Sequence, residues 1–289
     1  MASLTFTPVT ALAGGNFNGD FNWNAPSNWT PPEIPAAGDD LTFASVAPAN
    51  AYATVDDIGS LTMGTLSVDG FVTMFIGIGN SLTVADISNN QGVIQVDNGS
   101  TLTIEPGGNA AGRAYNLFHG TMIDPGSVTG SGAQFLMTSG TLEVGGTFVG
   151  SSFDIQSSPF ADHNVLAFNA PPASTISNQI SGVQAGDKIE LGGITFDAAN
   201  YSGTTLTLIN SGSPIYSLTD LTLAPGTSPS TFLFSTDTST GDHFIEFTPC
   251  FLAGTRIATP NGEVAVEALR EGDLVTTLAG EAKRIRWIG

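Results

Sequence analysis

The chain is short of three things: cysteine, positive charge and long apolar runs. Its 289 residues include one cysteine, Cys250, so no disulfide framework can hold it together. No apolar run reaches the roughly 18 residues that a membrane-spanning helix needs. The opening Met1-Ala2-Ser3-Leu4-Thr5-Phe6 lacks the basic-then-apolar pattern of a Sec-type signal peptide. Export, if it occurs, is expected to follow a route that needs no cleaved leader, or else the chain's start is not the native one. Lys and Arg together number 7 against 26 Asp and Glu. Up to residue 249 the only basic residues are Arg113 and Lys188. A body with so few cations cannot neutralise many phosphates, which excludes nucleic acid as a partner and disfavours anionic membranes. The remaining residues, 250–289, carry 5 basic and 5 acidic side chains, so the charge balance changes near Cys250 and marks a module boundary there.

What is present is the vocabulary of short strands and tight turns. Glycine is abundant at 35 residues and charged residues are only 11%, which excludes a coiled coil or a charged disordered tail. Apolar residues alternate with Thr or Ser in Thr65-Leu66-Ser67-Val68, Ser81-Leu82-Thr83-Val84, Thr101-Leu102-Thr103-Ile104, Thr141-Leu142-Glu143-Val144 and Thr205-Leu206-Thr207-Leu208. That period of two is the pattern of half-buried strands. Glycine-rich turns follow several of them, at Asp69-Gly70, Pro106-Gly107-Gly108 and Gly145-Gly146.

Leu66, Leu82, Leu102 and Leu142, read as equivalent, recur at multiples of about 20 residues, a loose period of the length that solenoid coils have. This predicts an all-β fold, a right-handed parallel β-helix or solenoid in which each coil buries one side of its strands. A sandwich of hairpins stays the alternative, since strands recur closely there too. Trp23 and Trp29, before a Pro-rich turn, resemble the opening of passenger domains in autotransporter-like bacterial surface proteins; the physical role expected of them is to cap the apolar end of the solenoid. Two core tryptophans in a loop-rich start is the plainer reading. Ile180 to Leu191, Thr205 to Leu208 and Phe244 to Phe247 resemble a β-rich module that ends many repeat-rich secreted proteins. The expected division is therefore residues 1–163 for the capped solenoid, 164–249 for the β-rich end of the same body, and 250–289 for a separate module.

The acid pairs Asp39-Asp40 and Asp56-Asp57 are read as solvated turn acids, because no calcium-loop pattern surrounds them. His119, His163 and His243 have no spacing suited to metal ligation, so neither a metal nor another cofactor is expected. Arg113 and Lys188 are too little basic charge for a polyuronate cleft. A neutral-glycan hydrolase stays open, since it needs only two carboxylates.

The run Cys250-Phe251-Leu252-Ala253-Gly254-Thr255-Arg256-Ile257-Ala258-Thr259-Pro260-Asn261-Gly262 holds the most specific pattern, with Leu269-Arg270-Glu271-Gly272-Asp273-Leu274-Val275 and Arg286-Trp287-Ile288-Gly289 after it. It resembles the N-terminal portion of a Hint (Hedgehog/intein) domain of the bacterial type, over the residues after Pro249 and none before it. The resemblance implies a partial Hint β-fold and a nucleophilic Cys250 that attacks the carbonyl of Pro249, turning the Pro249–Cys250 peptide into a thioester. Gly254, Thr255, Thr259, Gly262, Gly272 and Asp273 are the expected supporting turn residues. A thiol suits the step because its thiolate is both a strong nucleophile and a good leaving group. In the family a downstream Thr-x-x-His supplies a histidine that polarises the scissile amide. Here all three histidines lie before Cys250, so the module reads as truncated and the chain as slow or inactive in self-cleavage.

Three readings therefore stand. The first is a secreted or surface β-solenoid protein with an autoprocessing Hint domain, and the second an adhesin-like structural or binding β-helix with an inert Cys250. The third is a carbohydrate-active β-helix enzyme. The expected partners of the body are a surface glycan or another protein, and the sequence carries no sign of its oligomeric state.

Overall fold

The structure, a computed structural model, describes residues 1–6, 21–44, 52–110, 112, 114–126, 133–145, 148, 151–155, 163–172, 174–225, 227, 232–247, 255–277 and 280–286. It divides into two compact units, Met1–Thr248 and Pro249–Gly289. The larger unit is an all-β solenoid of about six turns. Its strands fall alternately into two sheets, one of twelve strands and one of eight. Nearly every pairing within the coils is parallel. In the first sheet Leu82 stands beside Leu102, Leu102 beside Met122, Met122 beside Leu142, Leu142 beside Leu166, and Leu166 beside Ile189. All six are fully buried. The second sheet stacks Ile94, Tyr115, Phe135, Phe153 and Ile180 in the same way. There the rings of Tyr115, Phe135 and Phe153 lie nearly parallel, with centroids 5.1 and 5.5 Å apart.

Strict alternation explains why these sequences form these elements. Thr101–Ile104 and Thr141–Val144 point every second side chain inward and leave threonines outward, where β-branched residues fit a pleated surface. The return from one sheet to the other uses a left-handed corner at Gly79, Gly99, His119 and Ser139, which are evenly spaced along the chain. Two of the four are not glycine, and each takes the positive φ that glycine adopts without penalty. The repeat itself holds, but Leu66 is not the equivalent of Leu82. The register sets Leu61 beside Leu82, and places Leu66 between Leu41 and Ile87. The strand Leu61–Val68 is long enough to carry two inward-facing sets, and that is what made the step from Leu66 to Leu82 misleading.

The ends of the solenoid are closed differently. At the N-terminal end the two-residue strand Trp29–Thr30 lies antiparallel on Ser3–Phe6, and the rings of Phe6, Trp23, Trp29, Phe43 and Tyr52 pack at centroid distances of 5.0 to 6.1 Å, mostly edge-on or tilted. Both indole N–H groups are satisfied, Trp23 donating to Thr54 Oγ1 at 3.0 Å and Trp29 to the carbonyl of Trp23 at 2.9 Å. The tryptophans are thus a cap over the last apolar rung. At the other end the direction reverses, with His243–Phe247 antiparallel to Lys188–Leu191 and Phe232–Thr236 outside it. Between them, Ala198–Ser202, Thr205–Asn210 and Ser213–Leu218 form a meander that interrupts the coil before Leu221–Leu223 rejoins the second sheet.

Each acid pair divides: Asp39 and Asp56 are buried and are not solvated turn acids, while Asp40 is exposed and Asp57 partly so. Asp39 is nearly buried, accepting from the backbone N–H of Ala2 at 2.6 Å and of Ala36 at 3.0 Å. Asp40 accepts from Thr65 N–H at 2.6 Å and Asp57 from Asn24 N–H at 3.0 Å. Asp56 is fully buried, at the head of an inward ladder that continues as Ile76 and Val96. Its Oδ1 accepts from Ile58 N–H at 3.1 Å while Oδ2 has no partner. The N-terminal segment needs acceptors for its backbone donors, and Asp39 and Asp57 supply them.

Burial pushes the Asp56 carboxyl up to about 6 from an ordinary 3.8, opposed by the Ile58 amide and helped by the neighbouring charge of Asp57. The folded chain therefore holds a proton on Asp56 that the unfolded chain has released between those two values. Its contribution to stability is complete below the lower value and is lost as pH rises through about 6, a swing on the order of 2–3 kcal/mol. Asp56→Asn is expected to flatten the fall in thermal midpoint between pH 4 and pH 7.5, read by circular dichroism. An unchanged pH profile would mean that the carboxyl is already ionised in the fold.

Candidate functional site

The C-terminal unit is built from two hairpins. Arg256–Thr259 pairs antiparallel with Gly262–Ala265, leaving Pro260 and Asn261 as the loop. Proline presets the first loop position, and Gly262 takes φ +107°, which a side chain would resist. Thr259 closes the turn: its hydroxyl donates to the Gly262 carbonyl at 2.5 Å and accepts from Asn261 N–H at 3.2 Å. The carbonyl of Thr255 then accepts from Val266 N–H at 2.8 Å, tying the entry of the hairpin to the short 3-10 turn Val266–Ala268.

The second hairpin joins Leu274–Thr276 to Ala282–Arg284. Asp273 organises its entry, with Oδ2 accepting from Arg270 N–H at 2.8 Å while its own N–H donates to the Arg270 carbonyl at 3.0 Å. Gly272 sits at φ +95° between them, and its carbonyl accepts from Arg284 Nη1 at 2.7 Å. Thr255, Thr259, Gly262, Gly272 and Asp273 are thus turn and backbone-bonding residues. Pro249, Cys250 and Gly254 lie outside the described residues. The Arg284 contact had no signal in the sequence, because a whole hairpin separates it from Gly272.

Charge adds little here. Arg256 and Glu263 are 3.8 Å apart and Lys283 and Glu281 2.7 Å, both pairs well exposed, where such bonds contribute at most about 1 kcal/mol. Apolar burial adds little either. No described residue between 255 and 286 is buried, and Leu274 is 42% exposed. The three histidines all belong to the larger unit. His163 Nδ1 is 3.1 Å from the Gly186 carbonyl, and the rings of His119 and His243 lie against Phe118 and Phe196. Among the described residues no three His, Cys, Asp or Glu side chains gather into a group that could hold a metal.

Fold and site together define a class: a β-solenoid body followed by a small unit of hairpins held by turn residues. The family model of the Hint domain matches residues 249–289, so the C-terminal unit carries a Hint domain. No curated protein and no solved structure gives a significant match to the chain.

Asp273→Ala should release the Arg270 amide from its acceptor and speed its hydrogen exchange roughly fivefold, the effect of about one lost hydrogen bond. Asp273→Asn should largely preserve the protection. Equal exchange in the wild type and the alanine variant would remove Asp273 from this role.

Proposed function

We propose that the Hint domain is autoprocessing and that Cys250 is its nucleophile, releasing the body upstream of it. The observation that carries this reading is a coincidence of boundaries. The division into compact units falls between Thr248 and Pro249, the family match begins at Pro249, and the only thiol of the chain follows at Cys250. The thiolate attacks the Pro249 carbonyl carbon, the C–N bond to Cys250 breaks, and the freed amine takes up the proton while a thioester forms. Water then adds to the thioester, leaving a Pro249 carboxylate and the Cys250 thiol. A nucleophile that adjoins its target carbonyl in sequence makes such a step effectively unimolecular. The leaving amine must be protonated, and residues 250–289 contain no histidine to do it. Residues 1–289 alone are therefore expected to stay intact or cleave slowly.

The body is proposed to act outside the cell, secreted or on its surface. Its low basic content and high acidity support this reading, and fractionation of cells and medium tests it.

The decisive experiment expresses the full gene product, wild type beside Cys250→Ala, and follows intact mass. The expected result is a product ending at Pro249 from the wild type only, formed faster with added dithiothreitol because a second thiol intercepts the thioester. If both proteins remain whole, or both are cleaved, Cys250 is not the nucleophile.

A further inference from the structure

We propose that the outer face of the eight-stranded sheet binds a neutral polysaccharide lying along the solenoid axis. This site belongs to the body and does not depend on the chemistry of Cys250. The parallel register places Val55, Phe75, Gln95, Asn116, Leu136 and Asp154 in one outward row, each beside the next. Adjacent strands lie about 4.8 Å apart, so the row runs across the strands as a regular series of contacts.

Two hollows lie on this row. The first, about 660 Å³, is bounded by Phe21, Val55, Phe75 and Ile78 and is mainly apolar. Ile78 is 76% exposed and adds apolar surface to this hollow. The second, about 230 Å³, is bounded by Asn116, Gln134, Leu136, Asp154 and Ser181. Among the described residues the side-chain amides of Asn116 and Gln134 have no hydrogen-bond partner of their own. Each offers two donors and an acceptor to whatever enters. Asp154 is held in place by the Ser181 hydroxyl at 2.9 Å, and Gln95 by Asp97 at 2.7 Å.

The chemistry of this row selects its ligand. No cation lines either hollow among the described residues, and Lys188, on the other sheet, faces Glu246 at 3.9 Å. Asp97 and Asp154 would repel an anionic chain. An aromatic ring and aliphatic side chains suit the C–H faces of sugar rings, and free amides suit hydroxyl groups. A sugar chain presents both along its length, as the row does. Asp154 is the only carboxylate bounding the amide-lined hollow, so the pair of acids needed for glycoside hydrolysis is absent there among the described residues. The site binds without cutting.

The test is affinity electrophoresis of the full chain, carrying Cys250→Ala so that cleavage cannot interfere. The gels contain hydroxyethyl cellulose, xyloglucan, galactomannan or dextran, with polygalacturonate as the anionic probe. At least one neutral polymer should retard the protein and polygalacturonate should not. Phe75→Ala and Asn116→Ala, both on the outward face, should each weaken binding about fivefold or more. Thr103→Ala, outward on the other sheet, should leave it unchanged. No retardation by any neutral polymer, stronger retardation by polygalacturonate, or equal binding by all variants would overturn the proposal.

Discussion

Everything in the body depends on parallel strands stacking like on like at a fixed register. A parallel pair leaves each inward side chain directly beside its counterpart one coil away. The column from Leu82 to Ile189 is therefore continuous apolar contact with no gap for water. A shift of one residue would turn the whole column to the outside. The recurring corner holds the register, because Gly79, Gly99, His119 and Ser139 return the chain at the same point of each coil. Coil length can then vary outside the strands without disturbing the column. Thr141 pairs with Val165 in the same register as Thr121 with Thr141, although the connection between them is longer.

A stack of this kind exposes an apolar cross-section at each end, and the two ends answer that problem with different means. Aromatic rings cover the N-terminal rung, where a short antiparallel strand also covers the sheet edge. A reversal of strand direction closes the C-terminal end of the twelve-stranded sheet. The first coil bears the consequence of its position. Its inward side chains include Thr54, which bonds the capping segment through Trp23 and Phe21, and Asp56, whose Oδ1 accepts from the nearby Ile58 N–H, where the coils that follow carry mostly apolar ones. Asp124 is a second interior carboxyl, fully buried beside Val144 with Oδ2 unpartnered, and burial raises it above the ordinary range in the same direction as Asp56.

The C-terminal unit follows another logic. Its hairpins are held by turn hydrogen bonds at Thr259 and Asp273, and none of its described side chains is buried. Turn bonding fixes a local backbone but contributes little cooperative stability, which comes from burial. The body is the opposite case, with a large core and an outward face whose features come from strands far apart in sequence.

Much of this could be read from the residues. Alternation in Thr101–Ile104 and Thr141–Val144 determined strands, the regular recurrence of leucines determined coils, and the Gly-Thr and Gly-Asp patterns after Cys250 determined the module at the end. These are legible because they are local: a strand's period, a turn's glycine and a motif's spacing are properties of neighbouring residues. Only the tertiary structure decided which leucines share a column, since Leu61 and Leu66 have equal claims until Leu82 is seen beside one of them. It alone showed that Asp39 and Asp56 are buried. It alone brought Phe75, Asn116 and Asp154 into one row. Register and burial are set by partners a coil or more away, and no stretch of sequence contains its own neighbours.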